Sequence, residues 1–224
     1  MNEKTFKYAI YIVIVILILL FYTKDIDLFG NNFYKNIKPV DNPDSFVVLV
    51  NKTYQLNENY VPNDLETISN FYAYENKQLR KEAKDAFEAL SKEASILGYR
   101  IIATSTYRDF HYQKKLFEEY TATKGKEYAL ECSAKPGHSE HQTGLAVDVA
   151  GSNDDYDDFE NSLEFPWMKE NAHLYGFILR YPKGKEKITG FKYEPWHYRY
   201  VGTEIAKIIY EENLTLEEYY DKYL

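Results

Sequence analysis

The spacing of hydrophobic and polar positions predicts helices that alternate with short strands. In residues 76–97, apolar side chains recur at intervals of three and four, which predicts an amphipathic helix that ends at Gly98. The segment YRIIATS then predicts a strand. Thr106 and Asp109 resemble a capping box and predict a second helix over residues 109–122.

Shorter segments complete the pattern on both sides of these elements. SFVVLV, residues 145–150 and FILRY each predict a strand, FPWMKENAHLYG predicts a helix, and ITGFKYEPWHYRYVG predicts a hairpin or paired strands before helices that follow Thr203. Because helical segments alternate with short strands, we expect an α+β domain with a small, largely antiparallel sheet flanked by helices.

The N-terminus carries an uncharged run, YAIYIVIVILILLFYT, between Lys7 and Lys24. As a helix its sixteen residues would extend about 24 Å. Snorkelling of the two lysines can extend this towards the hydrocarbon core of about 30 Å. Lys4 and Lys7 favour a cytoplasmic N-terminus with the rest of the chain outside. The alternative is a cleaved signal peptide and a secreted product, but FYTKDIDLFG lacks the small residues of a cleavage site.

The predicted organisation is therefore a cytoplasmic tip and transmembrane anchor over residues 1–24, a linker over 25–45 and a single folded domain over 46–224. The chain has 224 residues, of which 45% are hydrophobic, and this composition excludes a disordered protein. A net charge of -8 without a basic cluster excludes a nucleic-acid partner. Cys132 is the single cysteine, so an intrachain disulfide is excluded. We expect a monomer.

The stretch PGHSEHQTGLAVDVAG places an acidic residue inside an apolar run. If residues 145–150 form a strand, Val147 and Val149 face the core, and Asp148 shares the other face with small residues. A partly buried carboxylate needs a cation or several donors to offset its desolvation. His141 lies upstream in a loop that can fold back over the strand. Nitrogen and oxygen donors suit Zn²⁺, which takes three protein ligands in catalytic sites.

The segment YEPWHYRY supplies the best third ligand. His197 offers a nitrogen, and Glu194 stands three residues earlier as a carboxylate that can stay off the metal and transfer protons. In an ideal strand these two side chains would face opposite ways. Pro195 removes a ladder donor, which predicts a kink or bulge that turns both side chains into one cleft beside Trp196.

SEHQTGLAVDV fits the pattern S-x-H-x-x-G-x-A-x-D, and EPWHYRY fits E-x-W-H. Both patterns resemble the VanY-type D-alanyl-D-alanine carboxypeptidases, zinc D,D- and L,D-carboxypeptidases related to D-Ala-D-Ala dipeptidases. The likeness extends from VNKTYQLNENYVPNDL to WHYRYVG. It implies that His141, Asp148 and His197 bind zinc and that Glu194 is the catalytic base. His138 could compete as a ligand, but the resemblance does not place a ligand there.

The resemblance also implies contacts with the substrate. Arg108 would hold the substrate's carbonyl or developing oxyanion, and Ser139 and Gln113 would lie near its C-terminal carboxylate. Gln113 falls on an apolar helical stripe, which supports a role in the site. The alternative interpretation is that Gln113 is a partly exposed helix residue. The alternative for Arg108 is a surface ion pair with Asp109 or Glu118.

The implied activity is zinc-dependent removal of D-alanine from peptidoglycan stem peptides by the domain over residues 46–224. We expect D,D specificity on D-Ala-D-Ala ends, whereas L,D cleavage of tetrapeptide stems would use the same residues. A hypothesis of another class is a membrane-tethered, catalytically inactive wall-binding module. Such a module should lack a ligand or the base, and all four positions are filled.

Overall fold

A computed structural model describes residues 33–224 of the chain, together with residue 8 and residues 12–15. The rest of the predicted transmembrane anchor and the first part of the predicted linker lie outside the described residues. Within the described part of the chain, no helix combines the length and the apolar character that crossing a bilayer requires.

Short strands and helices alternate along the described residues, with 3₁₀ turns between some of them. In chain order the strands and α-helices are β1 (Lys38–Pro39), β2 (Tyr54–Gln55), β3 (Leu65–Thr67), β4 (Gln78–Arg80), α1 (Lys81–Ile96), β5 (Ile102–Ser105), α2 (Phe110–Lys124), α3 (Lys126–Cys132), β6 (Ala146–Ala150), α4 (Glu164–Asn171), β7 (Phe177–Leu179), α5 (Glu186–Thr189), β8 (His197–Tyr200), α6 (Thr203–Glu211) and α7 (Leu216–Tyr223). The fold is a mixed α/β fold with small sheets, as the alternation predicts.

The largest sheet among the described residues has four strands in the order β5-β6-β8-β7, and each neighbouring pair is antiparallel. Val147 lies opposite Tyr198 in the β6–β8 ladder, and both are buried in the core. Asp148 lies opposite His197 in the same ladder. Because successive side chains alternate between faces, this second pair projects from the sheet face opposite the core.

Helix α1 covers the core side of this sheet with an apolar stripe. Ala83, Phe87, Leu90 and Ala94 recur at spacings of three and four and are all buried. The Phe87 ring packs edge-on against that of Phe177 in β7, with 6.0 Å between ring centroids. Burying a side chain of this size stabilises the fold by about 1.5–3 kcal/mol. The predicted stripe is therefore confirmed.

The predicted start of this helix, residue 76, is wrong. The helix begins at Lys81, because Gln78–Arg80 pairs with Leu65–Thr67 as strand β4. The second helix is confirmed, but Asp109 rather than Thr106 caps it. The Asp109 carboxylate accepts from the backbone N–H of Tyr112 at 2.6 Å.

SFVVLV does not form a strand, because residues 45–47 lie in a turn and the buried residues 48–50 have no regular secondary structure. Val48 and Val50 belong to the main core, whereas Leu49 packs into a second apolar cluster with Val201 and Ile209. Neighbouring apolar side chains of this segment therefore enter different clusters, although the predicted strand is absent. Likewise, the predicted hairpin before Thr203 supplies only strand β8.

Residues assigned to the linker make contacts with the folded domain. Strand β1 (Lys38–Pro39) pairs in parallel with β2 (Tyr54–Gln55). The Tyr34 hydroxyl accepts from the backbone N–H of Lys135 at 3.1 Å. The folded part of the chain therefore includes residues that precede Phe46.

Candidate metal centre and active site

The ladder between β6 and β8 brings the first two predicted ligands together. Asp148 and His197 are directly opposite, and Oδ1 of the carboxylate lies 2.9 Å from Nδ1 of the imidazole. A register shift of one residue would send one of these side chains into the core. The hydrophobic alternation that buries Val147 and Tyr198 therefore also fixes this pair.

His141 reaches the same place from the 3₁₀ turn Glu140–Thr143, which precedes β6. The turn closes at Gly144 in the left-handed conformation (φ 67), where an added Cβ would lie 2.9 Å from Leu65 Cδ2. This reversal brings Nε2 of His141 to 3.2 Å from Asp148 Oδ2. The predicted fold-back of the histidine over the strand is confirmed.

The donor atoms of His141, Asp148 and His197 lie within 4.8 Å of one another, and all three residues are buried. We call these three residues the metal centre. Nδ1 of His141 lies 2.6 Å from the Thr106 carbonyl oxygen, which can only accept, so Nδ1 carries the hydrogen and Nε2 has the lone pair. Nε2 is buried without a hydrogen-bond partner among the described residues. Two nitrogens and one carboxylate, with a lone pair directed inward, fit a zinc ion.

Burial and charge set the ionisation of the metal centre. Burial, together with the nearby Arg108 guanidinium, lowers the pKa of His141 to about 4, so this imidazole is neutral. Burial acts to raise the pKa of Asp148, but His141 and His197 outweigh it and hold the pKa well below its usual range. Burial acts to lower the pKa of His197, yet hydrogen bonds with Asp148 and Glu140 raise it to about 9. A charged carboxylate thus lies between two imidazoles.

Glu194 enters the same cleft from a turn just ahead of β8. The His197 backbone N–H donates to the Glu194 carbonyl at 3.2 Å across Pro195, and Glu194 Oε2 lies 3.9 Å from His197 Nδ1. The change of direction predicted at Pro195 is thus a turn before the strand rather than a bulge within it. Burial raises the pKa of the Glu194 carboxyl to about 7, the range in which a carboxylate can both take and return a proton.

The metal centre opens into a cleft of about 430 Å³. Arg108 and Ser139 line this cleft together with Glu194, as the resemblance implies. The Arg108 backbone N–H donates to the His141 carbonyl at 3.2 Å, and its side-chain Nε is buried without a partner among the described residues. Aromatic side chains form much of the wall, namely Tyr74, Tyr112, Tyr120, Tyr128, Tyr156, Tyr181, Phe191 and Trp196.

Gln113 is behind the cleft wall rather than on its surface. It is buried, so the interpretation as a partly exposed position is wrong. Its Nε2 donates to Ser133 Oγ at 3.1 Å and to the Ala134 carbonyl at 2.8 Å, and both of those residues line the cleft. The structure thus shows Gln113 supporting this wall through Ser133 and Ala134.

The resemblance and the spacing did not identify the charged residues behind His197. Glu140, Arg180, Arg199 and Glu217 form a buried group of alternating charges, which we call the ion cluster. Arg199 is two residues after His197 in β8 and so lies on the same sheet face. The sequence signal that could have identified Arg199 is its place between the two tyrosines of HYRY, two residues after His197.

His138, the possible competing ligand, is not part of the metal centre. Its Nδ1 lies 2.8 Å from the Asn51 carbonyl oxygen, and its ring packs edge-on against Tyr34. These contacts give His138 a structural role.

Comparisons with known proteins agree with this geometry. Residues 76–203 match the family VanY, D-alanyl-D-alanine carboxypeptidase. The chain is 42% identical over 205 residues to the putative carboxypeptidase YodJ of Bacillus subtilis (strain 168), covering 86% of this chain and 75% of that protein.

Solved structures are similar over most of the described residues. The LdcB LD-carboxypeptidase is 40% identical with a TM-score of 0.78, covering 86% of this chain and 96% of that one. A mutant of the D,D-pentapeptidase VanY from a VanB-type vancomycin resistance cassette, in complex with Zn(II), is 34% identical with a TM-score of 0.67, covering 78% and 98%. The chain therefore belongs to the VanY family of D-alanyl-D-alanine carboxypeptidases, and its donor set is that of a zinc carboxypeptidase.

Proposed function

We propose that this protein is a zinc-dependent D,D-carboxypeptidase that removes the terminal D-alanine from peptidoglycan stem peptides. The observation that carries the proposal is the convergence of three buried donor atoms within 4.8 Å, beside a carboxylate whose pKa burial raises to about 7. All three ligand positions and the position of the base carry the residue types that catalysis requires, which argues against an inactive wall-binding module.

Zinc would be held by Nε2 of His141, a carboxylate oxygen of Asp148 and Nδ1 of His197. When bound there, it supplies Lewis-acid polarisation of the scissile carbonyl and lowers the pKa of a coordinated water towards 7. The neutral imidazole of His141 and the ionised carboxylate of Asp148 are in the protonation states that this role requires.

Glu194 takes the proton from the attacking water at its carboxylate and returns it to the leaving amine. Its Oε2 lies 3.9 Å from His197 Nδ1, but Glu194 is not one of the three residues whose donor atoms lie within 4.8 Å of one another. Arg108, which also lines the cleft, supplies a positive charge for the oxyanion that develops on the substrate carbonyl. Donors of this kind contribute about 2.7–4 kcal/mol of transition-state stabilisation.

A second candidate is L,D-carboxypeptidase activity on tetrapeptide stems. It is favoured by the similarity to the LdcB LD-carboxypeptidase, which has the higher TM-score of the two solved structures compared above. Both specificities break a peptide bond that releases D-alanine, so the same residues would serve either one. The shape of the cleft around the residue that precedes the released D-alanine would decide between them.

Mass spectrometry of products from defined pentapeptide and tetrapeptide stems separates the two activities. We expect loss of one alanine from the pentapeptide, with little change in the tetrapeptide. The reverse preference would establish the L,D activity instead. A chelator should abolish release and added Zn²⁺ should restore it. Activity that persists in the metal-free protein would contradict the zinc mechanism.

We also propose that the protein is anchored by its N-terminal apolar run, with the catalytic domain outside the cytoplasm. The support is the run YAIYIVIVILILLFYT between two lysines and the wall location of the proposed substrate. Fractionation should recover the chain at its full mass in the membrane. Recovery of a shortened chain in the medium would establish cleavage and secretion.

A further inference from the structure

Glu140 stands on the far side of His197 from Asp148. It is 1% exposed, and its Oε2 lies 3.4 Å from His197 Nε2, at the long end of the hydrogen-bond range. The other ring nitrogen, Nδ1, lies 2.9 Å from Asp148 Oδ1. The imidazole is therefore held between two carboxylates, one inside the metal centre and one behind it.

Two buried arginines fix the Glu140 carboxylate. Nε of Arg180 and Nη1 of Arg199 each donate to Oε1 at 2.7 Å, and both guanidiniums are fully buried. Two guanidiniums that donate to one carboxylate oxygen keep this carboxylate ionised. The ionised carboxylate only accepts hydrogen bonds. Because Oε1 takes both arginine bonds, Oε2 is directed at His197.

Arg180 and Arg199 also donate hydrogen bonds to acceptors other than Glu140. Arg180 donates to both carboxylate oxygens of Glu217, at 2.8 and 2.7 Å. Nη2 of Arg199 donates to the backbone carbonyls of Phe46 at 3.1 Å and Val48 at 2.8 Å. Two positive and two negative charges balance within the ion cluster. A carboxylate tied in this way has little freedom to move away from the imidazole.

We propose that Glu140 is a positioning residue for the metal centre, an inference that rests on the proposed function. It accepts the hydrogen bond of His197 Nε2, sets the orientation of the ring and leaves Nδ1 as the ligand nitrogen. The Thr106 carbonyl does the same for His141 through Nδ1, so the two histidines bind through different nitrogens. Outer partners of this kind change metal affinity by about 10–100-fold when they are replaced.

Glu217 offers a matched control, because Glu140→Gln and Glu217→Gln each remove one negative charge from the ion cluster. The described contacts of Glu217 are with Arg180 and Asn51, not with His197. Competition with a chromogenic chelator measures Zn²⁺ affinity of the full-length, metal-free variants. We expect Glu140→Gln to bind Zn²⁺ about 10–100-fold more weakly and Glu217→Gln to stay close to wild type. Equal affinities in the two variants would overturn the inference.

A measurement on the wild-type chain does not depend on how the variants fold. In the Zn²⁺-loaded, ¹⁵N-histidine-labelled protein, nuclear magnetic resonance should find the proton on Nε2 of His197 and on Nδ1 of His141. A proton on Nδ1 of His197 instead would overturn the role of Glu140. If the wild-type chain does not bind Zn²⁺, the proposed function fails. If it binds Zn²⁺ and the two glutamine variants bind alike, only the inference fails.

Discussion

The metal centre and the ion cluster meet at His197 but differ in how their polar atoms are satisfied. In the ion cluster two carboxylates meet two guanidiniums, and each guanidinium has protein acceptors within 2.8 Å. In the metal centre one carboxylate faces two imidazoles, and Nε2 of His141 is buried without a hydrogen-bond partner among the described residues. The first group is complete within the protein, whereas the second calls for a cation from solution.

This difference predicts different consequences of mutation. A buried charge that loses its protein partner raises the free energy of the folded state, because nothing replaces the lost interaction. A catalytic side chain beside the metal centre contributes to the transition state instead, so its removal slows turnover and leaves folding largely intact.

The largest expected effect is on the rate, at Glu194. Glu194→Ala should lower kcat by about 10²–10⁴-fold, because the proton acceptor is lost, and should retain Zn²⁺. D-alanine release and metal content measured on the same sample check both parts. Glu204→Ala, which removes an exposed carboxylate in the first turn of α6, is the control and should leave kcat unchanged. Near wild-type turnover by Glu194→Ala would refute the assigned role.

The second-largest expected effect is a loss of stability when Arg199 is replaced. Arg199→Met should lower the free energy of unfolding by about 3–5 kcal/mol, because Glu140 loses a buried partner. The carbonyls of Phe46 and Val48 also lose a donor. Urea unfolding of the metal-free protein measures the change. Lys183→Met removes a surface pair with Glu160 and should leave the unfolding midpoint unchanged. A stable Arg199→Met protein would show that the ion cluster is dispensable for folding.

The smallest effect is expected at the helix that carries Glu217. Thr215 caps α7 in a capping box with Glu218, in which the hydroxyl accepts from the Glu218 backbone N–H at 3.1 Å. Thr215→Ala should lower the free energy of unfolding by about 1 kcal/mol, with Zn²⁺ affinity unchanged. Thermal unfolding and the chelator titration test this together. A loss of Zn²⁺ affinity would mean that the end of α7 influences the metal centre.

The metal centre could be predicted from the sequence because local patterns orient its side chains and two motifs of the VanY-type enzymes join Asp148 to His197, 49 residues away. Alternation along residues 145–150 puts Asp148 away from the core, and a loop with glycine at its end returns His141 over the strand. Pro195 indicated the change of direction that brings Glu194 beside His197. Each of these orientations depends on a few neighbouring residues, which is the range over which sequence patterns are informative.

The ion cluster was not predicted because neither a local pattern nor a motif groups its members. Glu140 and Arg180 are separated by 40 residues, and no local pattern pairs them. The same cause explains the wrong strand at SFVVLV. The apolar run indicated burial, but the Phe46 and Val48 carbonyls accept from Arg199 instead of from a neighbouring strand. A side chain distant in sequence thus replaced the expected ladder.

The loop between β5 and α2 joins a metal ligand to the residue proposed to hold the substrate. The Thr106 carbonyl accepts from the His141 ring, and the backbone N–H of Arg108 donates to the His141 carbonyl. These two bonds, two residues apart, fix the backbone of residues 106–108 relative to the His141 ring. The backbone of the residue proposed to face the developing oxyanion is therefore aligned with a metal ligand when the chain folds.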